Sequence, residues 1–154
     1  MKKTIIKAIA ILSFLTIFTA GCAQTPTDKV VQAEKNKIYE QGQTVDVSGL
    51  DINMKDAKLL DGDGKKDAVV QFNMKVRNGS ADAKVFTSLD VTVKNEDGKE
   101  LPIYAAENIG SNLKADQTIS GPGFYQVKGK GPFQVTYTDP DTKKSATWKV
   151  KLED

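Results

Sequence analysis

The sequence predicts an all-β fold, an antiparallel β-sandwich of seven or eight short strands, and three observations carry that prediction. Beyond Gly42, apolar and polar residues alternate with period two in one short run after another. Turn-forming dipeptides such as Asn78-Gly79 and Asp97-Gly98 separate those runs. No stretch there repeats its apolar residues with the spacing of an amphipathic helix, which removes the parallel α/β folds. On strand spacing alone, a closed barrel is the competing architecture.

Before the strands come two segments of different character. Lys2, Lys3 and Lys7 open the chain without an acid, and the apolar run from Ala8 to Ala20 follows. That is the build of a secretory signal peptide, and the run is short of the roughly 20 apolar residues that span a bilayer. Ala20 and Gly21, two small residues, then precede Cys22, the only cysteine in the chain. This stretch resembles the bacterial lipobox, in which a peptidase cuts before a cysteine that receives lipid, with Thr19 where leucine is usual. The expectation is a signal peptide over residues 1–21 and a lipidated Cys22 holding the protein on the extracellular face of the cell membrane. From Ala23 to about Gln41 the composition is polar, with too little apolar surface to offset the entropy of ordering it. Residues 22–41 are therefore expected to form a flexible tether a few nanometres long, with at most a short helix within Asp28 to Lys37.

The folded domain is expected over residues 42–154. Val45 and Val47 alternate with polar neighbours, and after Ser48-Gly49 so do Leu50, Ile52 and Met54. Val70, Phe72, Met74 and Val76 make the clearest strand, ended by Asn78-Gly79. Leu89, Val91 and Val93 are expected to point inward and to pass through the turn Asn95 to Gly98 into a strand at Leu101, Ile103 and Tyr104, where Pro102 suits an edge. Gln117 to Val127 should supply a strand bent or interrupted by Gly121-Pro122-Gly123. Phe133, Val135 and Tyr137, then Trp148, Val150 and Leu152, read as a closing hairpin around Asp139-Pro140-Asp141. With Trp148 on the apolar face, Lys143, Lys144, Lys149 and Lys151 fall on the opposite face or in the turn, where they keep an edge soluble.

The order of these features carries a resemblance: a lipoprotein signal, a polar segment, Gly42 to Val45, Val69 to Asn78, Leu89 to Leu101 with its charged turn, and Tyr137 to Pro140 before Trp148. It resembles the telokin-like lipoproteins of Gram-positive bacteria. The resemblance implies an immunoglobulin-like sandwich, a surface location and no assigned biochemical activity. Its marks are turns and alternating apolar residues, which report a fold and identify no active site.

Composition narrows the chemistry further. The chain has no histidine and one cysteine, so a Ser-His-Asp triad, a Cys-His pair and the common zinc sites cannot be built. No enzymatic activity is expected, and no cofactor beyond covalent lipid. Cleavage after Gly21 would remove three of the 22 basic residues and none of the 20 acidic ones, leaving a net charge of −1. A nucleic-acid partner, which would call for a basic face, is not expected.

Two constellations remain as candidate sites. Asp61, Asp63 and Asp67 flank glycines and could set hard oxygens around calcium. Lys65 and Phe72 occupy ligand positions of the helical calcium loop, so an exposed charged connection is the plainer reading. Phe124 and Tyr125 are adjacent aromatics after Gly121-Pro122-Gly123, and alternation should turn one of them outward as a contact point for a partner. The expected function is that of a membrane-anchored extracellular binding or accessory module, contacting another envelope or extracellular protein. The alternatives are a calcium-responsive structural envelope protein, or a source of a peptide pheromone from Phe14 to Gly21.

Overall fold

Strict alternation over Ala68–Asn78 produces the strand that organises the molecule: Val70, Phe72, Met74 and Val76 are buried, while Lys75 and Arg77 on the alternate positions are exposed. The computed structural model describes residues 29–61 and 68–153, with Asp61 through its backbone alone. Cys22, Asp63, Asp67 and the stretch Phe14 to Gly21 lie outside the described residues, as does the side chain of Asp61.

The described residues form eleven strands: β1 (Val31–Gln32), β2 (Ile38–Glu40), β3 (Thr44–Val47), β4 (Leu50–Asp61), β5 (Ala68–Asn78), β6 (Lys84–Thr87), β7 (Val91–Lys94), β8 (Gly110–Leu113), β9 (Thr118–Val127), β10 (Phe133–Thr138) and β11 (Ser145–Val150). One sheet runs β1-β3-β4-β5-β9, a second β2-β11-β10-β7, and β6 pairs with β8 in a third. Apart from a 3-10 turn at Ser88–Asp90, the described residues contain no helix. The fold is a β-sandwich, as the alternation predicts. Its count exceeds seven or eight because short pieces at the edges also pair, and two edge pairings, β1 with β3 and β2 with β11, are parallel.

The core lies between the two larger sheets. Phe72 of β5 meets the ring of Phe133 of β10 edge-on at 5.5 Å and that of Tyr125 of β9 at 5.7 Å. Trp148 is fully buried, and its indole N–H donates to the Gln43 carbonyl at 3.0 Å. At the β3–β4 corner Ser48 and Gly49 both have positive φ, +56° and +90°, the two-residue geometry that lets a hairpin turn with the twist of its strands. Lys143, Lys144, Lys149 and Lys151 are exposed.

Four local expectations are corrected. First, the sandwich takes in residues expected in the tether: β1 and β2 fall before Gln41, and in place of a helix after Asp28 the chain forms strand and turn. Tyr39 is the reason. It is 1% exposed, its ring centroid lies 6.2 Å from that of Trp148, and its hydroxyl accepts from Glu34 N–H and donates to the Gln32 carbonyl. One aromatic anchor with two hydrogen bonds orders a polar segment whose average composition reads as tether. Tyr39→Phe should therefore lower stability by about 1 kcal/mol in urea titration, where a tether residue would give no change.

Second, Leu89 is not inward-facing: it sits in the 3-10 turn and is 74% exposed, because the alternating pattern is broken between Ser88 and Val91. Third, Leu101 to Tyr104 does not form a strand. Leu101 is buried and its N–H donates to the Val93 carbonyl at 2.8 Å, but Pro102 has no N–H to continue a ladder, and only a single bridge joins Ile103 to Tyr125. Fourth, Gly121-Pro122-Gly123 does not interrupt β9, which pairs with β5 without a break from Thr118 to Val127. Pro122 falls where the main chain faces away from β5, so no ladder bond needs its N–H. Gly123 faces the core, where a Cβ would come within 2.7 Å of the Met74 methyl carbon.

Candidate functional site

The outer edge of β9 is where the candidate contact residue lies, and its construction starts from the main chain. Pro122, Phe124 and Gln126 turn their peptide groups away from β5, and the segment after the β7 hairpin runs alongside to receive them. Ile109 N–H donates to the Pro122 carbonyl at 2.7 Å, Tyr104 N–H to the Phe124 carbonyl at 2.8 Å, and Gln126 N–H to the Pro102 carbonyl at 2.9 Å. Asn108 locks this cover in place. Its side-chain oxygen accepts from Phe124 N–H at 2.7 Å, and its amide donates to the carbonyls of Tyr104 and Ala106 at 3.0 and 3.1 Å. The edge is thereby closed to strand addition along these residues.

The cover leaves an open groove of about 560 Å³ lined by Ala106, Asn108, Ile109, Ile119, Pro122 and Phe124. Phe124 is half-buried in its wall and faces the outer side of the sheet. Beside it, Gln71 donates to the Asn73 side-chain oxygen at 2.6 Å and Asn73 donates in turn to Asp56, a polar relay on the same face. Ile103 and Tyr104 are 38% and 40% exposed. The surface thus combines a partly open aromatic ring, apolar groove walls and planar polar groups.

Tyr125 is not part of that surface. It is 2% exposed, its hydroxyl donates to the carbonyls of Ser88 and Val91 at 3.1 and 3.2 Å, and burial pushes its ionisation far above the ordinary tyrosine range. Alternation turns Phe124 outward and Tyr125 into the core, so the candidate pair separates into one surface residue and one structural residue.

The other perturbed groups serve turns and sheet faces. Asp139 is buried, which raises its pKa, yet the N–H and hydroxyl of Thr142, with Lys84 nearby and the Asp141 N–H, outweigh that cost and hold the carboxyl below its usual range. Asp51 is raised by burial and by Asp46, against the opposing pull of Arg77, which it meets at 3.1 Å. Among the described residues no three acidic or cysteine side chains come together in a way that could hold a metal ion. Asp61 closes β4, and with its side chain, Asp63 and Asp67 undescribed, the aspartate loop has no geometry to set beside the sequence.

Two features of the site lie outside the sequence expectations. The groove's far wall, Ala106 to Gly110, lacks periodicity, so only its hydrogen bonds to β9 reveal it. Asn108, an Asx residue in an irregular run, is the type that bonds neighbouring main chain and was the available signal.

No family model matches the chain. It is similar to the uncharacterized lipoprotein YcdA of Bacillus subtilis strain 168, with 28% identity over 158 residues, covering 96% of this chain and 44% of that protein. The chain thus spans less than half the length of this relative. The crystal structure of the putative lipoprotein ycdA from the same organism superposes with a TM-score of 0.60 at 23% identity, over 75% of this chain and 39% of that one. The B. subtilis yjhA protein gives 0.59 at 8% identity, over 74% and 100% of the two chains. The secreted Mycobacterium tuberculosis protein MPT63 gives 0.52 at 14% identity, over 65% and 82%. At these identities the structural likenesses establish a shared fold.

Proposed function

We infer that the chain is an exported lipoprotein, acylated on Cys22 and held on the extracellular face of the membrane, where its sandwich acts as a non-catalytic binding or accessory module. A single observation carries this reading: the only cysteine follows Ala20-Gly21 at the end of a short apolar run, in a chain similar along 96% of its length to a protein named as a lipoprotein. A place among the telokin-like lipoproteins belongs to the same reading. Phe124 and the groove beside it are the contact surface of the module, because they join an aromatic ring to a rigid, hydrogen-bonded edge.

The test is cross-linking of the tagged protein in living cells, with Phe124→Ala and Cys22→Ala beside the wild type. The expected result is a specific envelope protein captured by the wild type and lost in both variants. Phe124→Ala should stay folded with a modest loss of about 1 kcal/mol, since the ring is only half-buried. Capture that is indifferent to Phe124 would remove the groove from the contact. Absence of fatty-acid label on the wild type, measured with a metabolic analogue, would remove the anchor.

A further inference from the structure

Strand register sets side chains from four segments in rows on the outer face of the larger sheet. Lys58 of β4 lies opposite Gln71 of β5, Gln71 lies opposite Phe124 of β9, and Asp56 lies opposite Asn73 in the next row. Residues directly opposite one another in an antiparallel pair share a face. The first row continues past β9. The bridge between Ile103 and Tyr125, with the Tyr104 N–H donating to the Phe124 carbonyl, sets Tyr104 opposite Phe124. Lys58, Gln71, Phe124 and Tyr104 therefore follow one another across three strand spacings, about 14 Å in all. Phe124 is half-buried and Tyr104 is 40% exposed, so two aromatic rings reach solvent beside a set of planar polar groups.

Those polar groups are fixed in place by one another. Gln71 donates to the Asn73 side-chain oxygen at 2.6 Å and Asn73 donates to Asp56, so each is held by the next. Each amide nitrogen keeps a second N–H, and Gln71 Oε1 and the second Asp56 oxygen take no hydrogen bond from the described residues. Donors and acceptors thus stand side by side next to an aromatic ring. Three features narrow what this face can recognise. The neighbouring β9 edge is covered from Pro122 to Gln126, so an extended peptide has no ladder to join there. The Asp56 carboxylate repels phosphate and other anions, and the one lysine in the row, Lys58, is offset by Glu153 at 3.4 Å. A sugar ring matches what remains: it offers an apolar C–H face to the aromatic ring and a rim of hydroxyls, each both donor and acceptor, to the amides and the carboxylate.

We propose that this face binds an uncharged oligosaccharide, with one sugar ring seated on Phe124, its hydroxyls on Gln71, Asn73 and Asp56, and the next unit running towards Tyr104. The proposal rests on the reading of Phe124 as a contact residue and adds a ligand class to it, read by the sheet face instead of the groove. Both kinds of contact are needed. The ring alone does not tell a sugar from any other apolar surface, and exposed amides alone exchange one hydrogen-bond partner for water at little gain.

The test titrates the purified full-length protein, isotope-labelled and held in a zwitterionic detergent, with N-acetylchitotriose, cellotriose and maltotriose, and follows the side-chain amide signals of Gln71 and Asn73 by NMR. Saturable shifts of both signals are expected with at least one of the three sugars. Affinity should fall about tenfold in Phe124→Ala and in Asn73→Ala, and persist in Phe124→Tyr, which keeps an aromatic face and shows that the fold tolerates change at this position. No saturable shift with any of the three, or an affinity unchanged in both alanine variants, would overturn the proposal. Shifts confined to the groove residues Ala106 and Ile109 would overturn it too. Cross-linking in cells reads the protein contact separately: capture that depends on Phe124 with no sugar response removes the oligosaccharide and leaves the binding module standing. A sugar response with capture indifferent to Phe124 supports the oligosaccharide and removes the protein contact.

Discussion

Replacing Trp148 with alanine is expected to destabilise the domain by about 3–5 kcal/mol, the usual range for deleting a large buried aromatic. The whole stability of such a domain is about 5–15 kcal/mol, so the variant should be partly unfolded at physiological temperature. Three contacts fail together. The ring is fully buried between Tyr39 and the strands that pair with β11, its N–H satisfies the Gln43 carbonyl at the start of β3, and Tyr39 depends on it for the packing that holds β2 to β11. Urea titration followed by far-ultraviolet circular dichroism measures the loss. Trp148→Phe separates the causes: most of the packing returns, the Gln43 carbonyl loses its partner, and the midpoint should fall between wild type and alanine. A Trp148→Ala midpoint equal to wild type would mean that residues before Gln41 do not dock on β11.

The second large effect is expected at Asn78, a buried polar residue at the end of β5. Its amide donates to the carbonyls of Asp82 and Leu113 at 2.7 and 3.0 Å, and its side-chain oxygen accepts from the N–H and hydroxyl of Ser80 at 2.9 and 2.7 Å. One side chain thus joins the β5 strand, the turn after it and β8. Asn78→Ala leaves the Leu113 carbonyl buried without this donor, and an unsatisfied buried group costs about 1–3 kcal/mol before the loosened turn is counted. A total loss of about 3 kcal/mol is expected by denaturant titration. Asn78→Asp should do no better, because a carboxylate presents an oxygen where two carbonyls require a donor. Hydrogen exchange offers an independent reading, with protection lost first in β6 and β8. A variant as stable as wild type would show that the turn is held by its main chain alone.

Both residues illustrate how much was legible beforehand. Trp148 reads as core because Val150 and Leu152 share its alternation; Asn78 shows in the sequence only as half of a turn dipeptide. Its four hydrogen bonds reach residues up to 35 positions away, which a local pattern cannot express. Tyr39 gives no sequence signal for a related reason: a single aromatic among polar neighbours carries no periodicity, and its value comes from Trp148, more than a hundred residues on. At the candidate site, alternation correctly required that Phe124 and Tyr125 face opposite ways, but which one faced the core depended on the register of β9 against β5.

Local chemistry by itself determined the all-β class, the apolar face of each central strand, the Ser48-Gly49 turn, the end of β5 at Asn78 and the absence of histidine chemistry, because period-two alternation, turn dihedrals and residue inventory are properties of neighbours along the chain. Only the tertiary structure decided where the domain begins, that Gly121-Pro122-Gly123 continues a strand, that Leu89 faces solvent, and that the segment around Asn108 closes an edge and forms a groove. Those outcomes depend on which distant segment supplies the missing hydrogen-bond partner or the opposing apolar surface, and that choice is made when the sheets pack.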